Sequence, residues 1–273
     1  TMTFVATSGS LSSEEFSPAP IAYWKMDEGS GTTANDSSGQ NRNGTLGTGG
    51  SSPVWQTEEQ CISGKCLLLK GDSTSSINTN YDFSLNYNSS STISFWFKPT
   101  TNNTGGQVKN IISKNEYELM IAQVDQRIQL IQWQSTGSNA LSFITSNFIQ
   151  PNTWYHVEFV YDSVQHRGSM YINGKLNISD VTASTDFKNA TETLKIGTGY
   201  GYAGSTSPHL NGFIDEIKIY QYARNLDQIK QDYNAGKART SSSKGNSANF
   251  GGSPNNNSAS LTDGLVGYWK FDE

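Results

Sequence analysis

The chain has 273 residues and a formal net charge of −5 at pH 7. Only 16% of the residues are charged and 11% are aromatic, which excludes a disordered chain, a coiled coil and a helical bundle. The sequence has no basic stripe for nucleic acid and no apolar run long enough for a transmembrane helix. The class that is not excluded is a β-rich protein with a polar surface. The chain is longer than one typical domain and shorter than two.

The N-terminal region predicts a leader followed by a first strand. Residues 1–19 are rich in Ser, Thr and Pro and indicate an extended segment. Residues 21–28 (IAYWKMDE) combine aromatic residues with strong β-formers, as in a strand. Nearly every residue from 29 to 44 is a turn former or carries a side-chain oxygen. The domain is therefore expected to start at about residue 20.

Strand-like segments then recur as far as residue 220, with polar turns between them. In residues 91–98, alternate residues from Ile93 to Phe97 share one face and Trp96 takes the other. Asn173-Gly174 predicts a type I′ hairpin. The predicted strands are 66–70, 75–78, 91–98, 110–113, 117–122, 127–132, 140–146, 154–161, 168–172, 192–196 and 212–220. This spacing predicts an all-β fold, a two-sheet antiparallel β-sandwich or jelly roll.

One short helix is predicted at the C-terminal end of this domain. Asn225 is a suitable N-cap and Gly236 a suitable end. Three apolar residues between them share one face: Leu226, Ile229 and Tyr233. The predicted domain therefore spans residues 20–236.

The C-terminal region contains a copy of the first strand. Residues 237–260 have the composition of a flexible linker. Residues 266–273 (VGYWKFDE) repeat residues 21–28, with Tyr, Trp, Lys, Asp and Glu in register. The separation is too long for a solenoid, so the repeating unit is a whole domain. Residues 261–273 are either the first strand of a following repeat, which we favour, or a strand donated to a neighbouring copy.

Two cysteines lie close together, Cys61 and Cys66. A metal site would need further Cys or His ligands, and the three histidines are far away in sequence. A short-loop disulfide is favoured over two free thiols. The disulfide would imply an oxidising compartment and contribute about 2 kcal/mol in the chain-entropy model.

Hard oxygen donors around the first strand and on the last predicted strand form a candidate cation site. Calcium takes 6–8 ligands of this kind, from carboxylates, amide oxygens and backbone carbonyls. The candidates are Asp27, Glu28, Asp36, Asn41, Asn43 and Asp215. In the alternative interpretation, Asp36, Asn41 and Asn43 only stabilise turns.

Aromatic side chains form a candidate platform for sugar rings. Trp96, Trp133 and Tyr155 offer ring faces for stacking, and the Gly-rich loop 197–204 carries Tyr200 and Tyr202. In the alternative, Trp96 and Tyr155 pack beneath loops, while the two loop tyrosines shield a sheet edge.

Six blocks between about residues 21 and 236 resemble, in order, the laminin-G-like or concanavalin A-like lectin-glucanase jelly-roll modules of bacterial surface proteins. The blocks are YWKMDEGSGTTANDSSGQNRNGTL, GKCLLLKGDSTSSI, STISFWFKP, NTWYHVEFVYDS, MYINGKL and LNGFIDEIKIYQYARNLDQIKQDYNAG. The resemblance implies a secreted or surface-anchored domain. It also implies a structural Ca²⁺ between the loop after the first strand and the strand that carries Asp215.

The sequence does not favour catalysis. The related glucanases carry an acidic strand of the pattern E-x-D-x-x-E, which is absent here. Glu116 and Glu118 alternate, but the family uses that region as an ordinary hairpin. Asp215 and Glu216 are adjacent, so strict strand alternation would place them on opposite faces.

The expected function is that of a non-enzymatic extracellular module at a cell surface, for adhesion or for binding a glycan or a surface protein. The alternative is a structural subunit of an extracellular filament or surface layer, in which residues 261–273 join the copies. A glycoside hydrolase is disfavoured because the acidic strand is missing.

Overall fold

The computed structural model describes residues 17–102, 108–122, 126–181, 184–200 and 209–241. These residues form two antiparallel sheets, one α-helix, α1 (Leu226–Ser241), and one short 3-10 helix (Glu58–Gln60). The strands are β1 (Ala22–Trp24), β2 (Thr33–Ala34), β3 (Gly44–Leu46), β4 (Val54–Gln56), β5 (Cys66–Lys70), β6 (Ile77–Thr79), β7 (Ser91–Pro99), β8 (Lys109–Lys114), β9 (Tyr117–Ile121), β10 (Arg127–Trp133), β11 (Asn139–Phe148), β12 (Tyr155–Asp162), β13 (Arg167–Ile172), β14 (Lys175–Val181), β15 (Lys195–Ile196) and β16 (Asn211–Tyr220). The predicted β-sandwich is confirmed.

The sheets enclose one large apolar core. The first sheet has the order β14-β13-β12-β7-β16-β5-β4, and β1 also pairs with β16. The second sheet has the order β11-β10-β9-β8-β15-β6-β3-β2. Trp24, Phe95 and Phe159 are fully buried between the sheets. The first strand is thus an integral part of the domain, as predicted.

Two predictions that depend only on neighbouring residues are confirmed: the alternation of side chains on β7 and the tight turn at Asn173-Gly174. Ile93, Phe95 and Phe97 face the core from β7, and Trp96 lies on the outer face. The turn between β13 and β14 has positive φ at Asn173 (53°) and Gly174 (73°), as a type I′ turn requires.

Strands β2, β3 and β4 were not predicted from the sequence, and β14 was implied only by the hairpin prediction at Asn173-Gly174. The first three have two or three residues each and lie in a polar region whose composition predicts turns. Strand β14 is an edge strand with mixed polar and apolar residues and pairs only with β13 along the sheet order. Their hydrogen-bond partners are distant in sequence or across a turn, so composition alone does not reveal them.

Helix α1 begins as predicted. The Asn225 side chain accepts a hydrogen bond from the Gln228 amide at 3.0 Å, and the Gln228 side chain accepts one from the Asn225 amide at 2.9 Å. This reciprocal arrangement is a capping box. Ile229 is buried and Tyr233 packs on the sheet, but Leu226 is 42% exposed and is not part of the buried face.

The predicted end of the helix at Gly236 is wrong. The helix continues to Ser241, so the first residues of the predicted linker 237–260 are helical. A Cβ atom at position 236 would lie 2.5 Å from Cζ2 of Trp96. Gly236 therefore permits close packing of the helix on the sheet rather than ending the helix.

Buried charges attach the helix to the outer face of the first sheet. Arg224 forms ion pairs with Glu158 on β12 at 2.8 Å and with Asp232 on α1 at 2.7 Å. Lys218 on β16 pairs with Asp232 at 3.2 Å. Because Glu158 and Arg224 are buried, each charge depends on its partners for solvation that water would otherwise supply.

Several predicted segments lie outside the described residues: most of the leader (1–16), the remainder of the linker (242–260) and the repeated segment 261–273. In the part of the chain that the structure describes, no helix has the length and apolar character that a membrane span requires.

Candidate functional site

Trp96 does not form an exposed sugar platform. Its side chain is 5% exposed and lies beneath α1, where it stacks on Tyr233 with ring centroids 5.8 Å apart. The His156 ring contacts it from β12, with a centroid distance of 5.0 Å. Trp96 is therefore packed, but beneath the helix and not beneath a loop as the alternative expected, and the helix covers the face that a sugar would need.

The other aromatic candidates occupy different positions. Trp133 ends β10 and is half-buried. Tyr200 is also half-buried: its hydroxyl donates to the Thr193 carbonyl at 2.6 Å, and the Lys195 ammonium lies 4.0 Å from its ring centroid. Tyr202 lies outside the described residues. Trp133 and Tyr200 are therefore partly exposed.

Asp36, Asn41 and Asn43 stabilise the loop after the first strand. The Asp36 carboxylate accepts hydrogen bonds from the amides of Tyr23, Ser38 and Arg42 and from the Ser38 hydroxyl. Partial burial raises the pKa of Asp36, but these donors outweigh it and the net pKa is lowered.

The two asparagines take part in the same loop geometry. The side-chain oxygen of Asn43 accepts from the Asp36 amide at 2.8 Å. Asn41 adopts a left-handed conformation with φ of 57°, which asparagine tolerates better than most residues. The turn-stabilising alternative therefore accounts for the three loop residues, and the side-chain oxygens of Asp36 and Asn43 already accept hydrogen bonds.

Asp27 and Asp215 lie in a second cluster, around the loop of residues 61–66. The Asp215 Oδ2 atom accepts from the amides of Ile62 and Ser63, at 3.0 and 3.1 Å. Asp27 Oδ1 accepts from the Lys65 amide at 2.8 Å. Burial raises the pKa of Asp215 well above its ordinary value, and the carboxylates of Glu216 and Asp27 raise it further.

This second cluster retains acceptor capacity. Within the described residues, Asp215 Oδ1 is buried without a hydrogen-bond partner. Glu28 Oε2 is also without a partner, but Glu28 belongs to the loop after β1, where its Oε1 accepts from the Asn35 amide at 2.8 Å. A buried carboxylate oxygen without a donor is the kind of group that a cation can satisfy. No group of three or more His, Cys, Asp or Glu side chains converges on one point in the described part of the chain. A cation there would therefore need backbone carbonyls as additional ligands.

A β-bulge changes the geometry expected for Asp215 and Glu216. The register of β16 against β7 shifts between Asp215 and Lys218, and Glu216 has φ of 52°. Glu216 accepts a hydrogen bond from the Tyr23 hydroxyl and lies 3.9 Å from the Lys218 ammonium. Ile214 and Ile217 both face the core, so Asp215 and Glu216 lie together between two core residues and the expectation of strict alternation was wrong.

The other acidic candidates are buried and engaged. Glu116 pairs with the Lys114 ammonium at 3.1 Å and accepts the Ala190 amide at 2.8 Å. Glu118 accepts from the Asn110 amide group at 3.1 Å. Burial raises the pKa of both carboxyl groups. These side chains have structural partners and little access to a substrate.

The predicted disulfide between Cys61 and Cys66 is present. It closes the loop whose amides bind Asp215, and it packs against Phe213 on the outer face of the first sheet. A disulfide is consistent with an oxidising compartment.

Sequence reasoning missed a cavity beside α1. The cavity has a volume of about 640 Å³ and lies between the end of β11, the β13–β14 hairpin and the helix. Its lining residues are Ser146, Asn147, Phe148, Tyr155, Ile172, Asn173, Lys175, Tyr233 and Lys237. Tyr155 was the sequence candidate that lines this cavity, but the other residues come from segments that approach each other only in the folded chain.

Comparison with known proteins agrees with this architecture. Residues 71–230 match the family of concanavalin A-like lectin/glucanases, and the chain belongs to this superfamily. The strands before residue 71 extend the same sandwich beyond the matched region. A comparison with curated proteins finds no match.

Several solved structures share the fold. The binding domain of Paraclostridial mosquitocidal protein 1 is similar with a TM-score of 0.63 and 20% identity, over 80% of this chain and 52% of that one. The receptor binding domain of botulinum neurotoxin type G has a TM-score of 0.58 and 19% identity, over 80% and 51%. The chain thus spans about half the length of these toxin domains.

A third similar structure is a carbohydrate complex. It is domain 4 of AbnA, an extracellular arabinanase of family GH43 from Geobacillus stearothermophilus, in complex with arabinotriose. The TM-score is 0.59 and the identity 22%, over 78% of this chain and 97% of that one. At this identity the likeness concerns the fold.

Proposed function

We propose that the chain is a non-catalytic extracellular module that binds a carbohydrate or a receptor protein at a cell surface. The observation that carries the proposal is the match to almost the whole of AbnA domain 4, whose structure contains arabinotriose. The toxin binding domains with the same fold support a receptor-binding role as well. The disulfide supports an extracellular location.

The state of the buried carboxylates supports a non-catalytic role. A glycosidase needs two accessible carboxyl groups flanking the scissile bond. Here Asp215 binds two backbone amides, Glu216 binds a tyrosine hydroxyl and Glu116 forms an ion pair, all with little exposure to solvent. These carboxyl groups are held by partners within the protein instead.

A glycan array probed with the full chain, with and without chelator, tests the proposed function. We expect binding to a limited set of saccharides and no release of reducing sugar from them. Failure to bind any glycan on the array would contradict the carbohydrate-binding function, and hydrolysis of a bound glycan would contradict the non-catalytic role.

We also propose a structural Ca²⁺ with Asp27 and Asp215 as carboxylate ligands. The unpartnered, buried Oδ1 of Asp215 and the nearby Asp27 carboxylate support these two residues, whereas Asp36 and Asn43 are already engaged by backbone donors. Calcium would neutralise the buried charge and hold the loop after β1 to β16.

Thermal unfolding with and without EDTA tests the calcium proposal. We expect chelation to lower Tm in the wild type, because a ligand that binds only the folded state stabilises it. The D215N variant should lose this dependence, and D227N, at an exposed position on α1, should retain it. The same wild-type Tm in EDTA and in Ca²⁺ would contradict the proposal.

A second candidate function is a subunit of an extracellular filament or surface layer, joined through terminal strands. It is favoured by the contacts of β1. Trp24 is fully buried and its indole donates to the Arg42 carbonyl at 2.8 Å, while Tyr23 donates to Glu216. Tyr268 and Trp269 repeat these two residues. Residues 261–273 therefore have side chains suited to the β1 position of another copy.

Deletion of residues 261–273 tests strand donation. The deletion should abolish self-association in analytical ultracentrifugation, and replacing Trp269 with Ala in the full chain should weaken it. An unchanged oligomeric state in both variants would contradict strand donation and leave a tandem array as the explanation of the repeat.

A further inference from the structure

The cavity beside α1 has the chemistry of a saccharide-binding site. Its volume of about 640 Å³ lies within the range of small-molecule sites, roughly 300–1,000 Å³. Phe148 stands at its edge and is 61% exposed. Tyr155 and Tyr233 also line it, but Tyr155 is buried in the core and Tyr233 stacks on Trp96, so Phe148 is the most exposed ring. Such rings offer apolar faces on which a pyranose can stack.

The walls of the cavity are held in position by hydrogen bonds and packing. Asn177 accepts from the amide of Ser146 at 2.8 Å and thereby joins the end of β11 to β14. The Tyr155 hydroxyl accepts from the Gln150 amide at 2.9 Å. Gly174 lies directly against the Tyr233 ring, which stacks on Trp96 on the sheet. A site with fixed walls loses little conformational entropy when it binds a ligand.

Polar groups around the aromatic rings match a saccharide. Asn173 uses its side-chain oxygen to accept from the His156 amide at 2.9 Å. Within the described residues its Nδ2 group has no partner and is available to donate to a ligand hydroxyl. Asn147 lines the cavity as well and is exposed.

The cavity is basic although the chain as a whole has a net charge of −5. Lys175 and Lys237 line it, no acidic residue is among its described lining residues, and the Arg127 guanidinium lies 6.0 Å from the Phe148 ring centroid. Ammonium groups bind carboxylate and sulfate groups as point charges. A neutral sugar would not require two lysines at its site.

We propose that this cavity binds a saccharide that carries an anionic group, a carboxylate or a sulfate. The sugar ring stacks on Phe148 and the anionic group lies between Lys175 and Lys237. The inference rests on the proposed carbohydrate-binding function and specifies its site and its ligand class.

Isothermal titration calorimetry with three matched trisaccharides tests the inference: tri-galacturonic acid, 6-sulfated galactotriose and neutral galactotriose. Wild-type protein should bind at least one anionic trisaccharide more tightly than the neutral one, and added salt should reduce the difference. The K175Q/K237Q double variant should lose about tenfold in affinity for that anionic ligand only. F148A should weaken the binding of every trisaccharide.

Matched control variants distinguish an effect on binding at the cavity from a general effect on the folded protein. K230Q changes an exposed lysine on the same helix that does not line the cavity, and V164A changes an apolar residue that is 87% exposed. Both should bind as the wild type does. Charge reversal in K175E provides a second test if the double variant has a lowered Tm.

Three other outcomes would each contradict a different part of the inference. If the protein binds saccharides but all cavity variants retain wild-type affinity, the cavity is not the site, and the proposed function stands. If neutral galactotriose binds as tightly as both anionic forms, the ligand class is wrong. If neither the array nor calorimetry detects any saccharide, the inference and the carbohydrate-binding function fail together.

Discussion

Asp36 illustrates how one side chain can organise a loop. Its carboxylate joins the start of β1 to two later positions of the loop through the amides of Tyr23, Ser38 and Arg42. Three backbone amides donate to this one carboxylate, so the conformation of the loop depends on it.

Replacing Asp36 with Ala should therefore reduce the free energy of unfolding by about 2 kcal/mol, because several amides lose their acceptor. Urea unfolding followed by tryptophan fluorescence measures the change. The matched control E58A removes an exposed carboxylate and should change stability little. Equal stabilities for the two variants would contradict the assigned role of Asp36.

His156 is a buried imidazole whose protonation opposes folding. Burial lowers its pKa to about 3; the Asp232 charge counteracts this shift, and those of Lys218 and Arg224 add to it. Its Nε2 atom lies 3.0 Å from the Ser94 hydroxyl, and Nδ1 has no partner within the described residues. The neutral ring is therefore the form that the folded protein accommodates.

Below about pH 6.5 the unfolded chain binds a proton at His156 that the folded protein does not bind, so this residue lowers stability as the pH falls toward 3, by about 1.4 kcal/mol per pH unit. Glu158 acts oppositely, since burial raises its pKa to about 7 and protonation then favours the folded state. H156Q should thus show a smaller acid loss of stability than the wild type, measured by urea unfolding at several pH values. An unchanged dependence on pH would contradict a neutral, buried His156.

Helix α1 depends on a close approach to β7. The sheet contributes Trp96 and the helix contributes Tyr233 and Gly236, and the ion pairs of Arg224 lie beside them. The same helix forms one wall of the basic cavity. Its position on the sheet therefore affects both stability and the proposed ligand site.

G236A should destabilise the protein by about 1–3 kcal/mol, because a Cβ atom at this position would overlap with the Trp96 ring. Intrinsic helix propensity alone would predict the opposite, a gain of about 1 kcal/mol from Gly to Ala. Thermal unfolding distinguishes the two effects. N234A, at an exposed position on the same helix, serves as the control, and a higher Tm for G236A would contradict the close packing.

The domain as a whole is larger than the region that matches its family. Residues 71–230 carry the match, yet β1 and β5 pair with β16 and complete the first sheet. Trp24, Leu67 and Leu69 come from this earlier region and are fully buried. The sandwich therefore requires residues on both sides of the start of the match.

A fragment of residues 71–241 should not fold cooperatively, whereas residues 17–241 should. Loss of three buried apolar side chains removes about 1.5–3 kcal/mol each. Domains of this kind have a total free energy of unfolding of about 5–15 kcal/mol, so the stabilisation lost with these side chains is of similar size. Circular dichroism during heating measures this, and a sharp transition in the shorter fragment would contradict the prediction.

Much of the fold was predictable because its signals are local. Alternation on β7, the Asn173-Gly174 turn and the Asn225 cap each depend on a few neighbouring residues, and the order of the aromatic strands indicated the sandwich. The disulfide was also expected, since its cysteines are close in sequence. These features follow from backbone geometry and side-chain periodicity, which the sequence alone specifies.

The features that the sequence could not supply depend on contacts between distant residues. Gly236 lies within the helix and permits its close approach to Trp96, and the bulge at Glu216 interrupts the alternation of β16. The basic cavity exists because the end of β11, a hairpin and α1 meet at one corner of the sandwich. Packing and burial between segments far apart in the chain decide these features, and they become defined only when the two sheets and the helix are assembled.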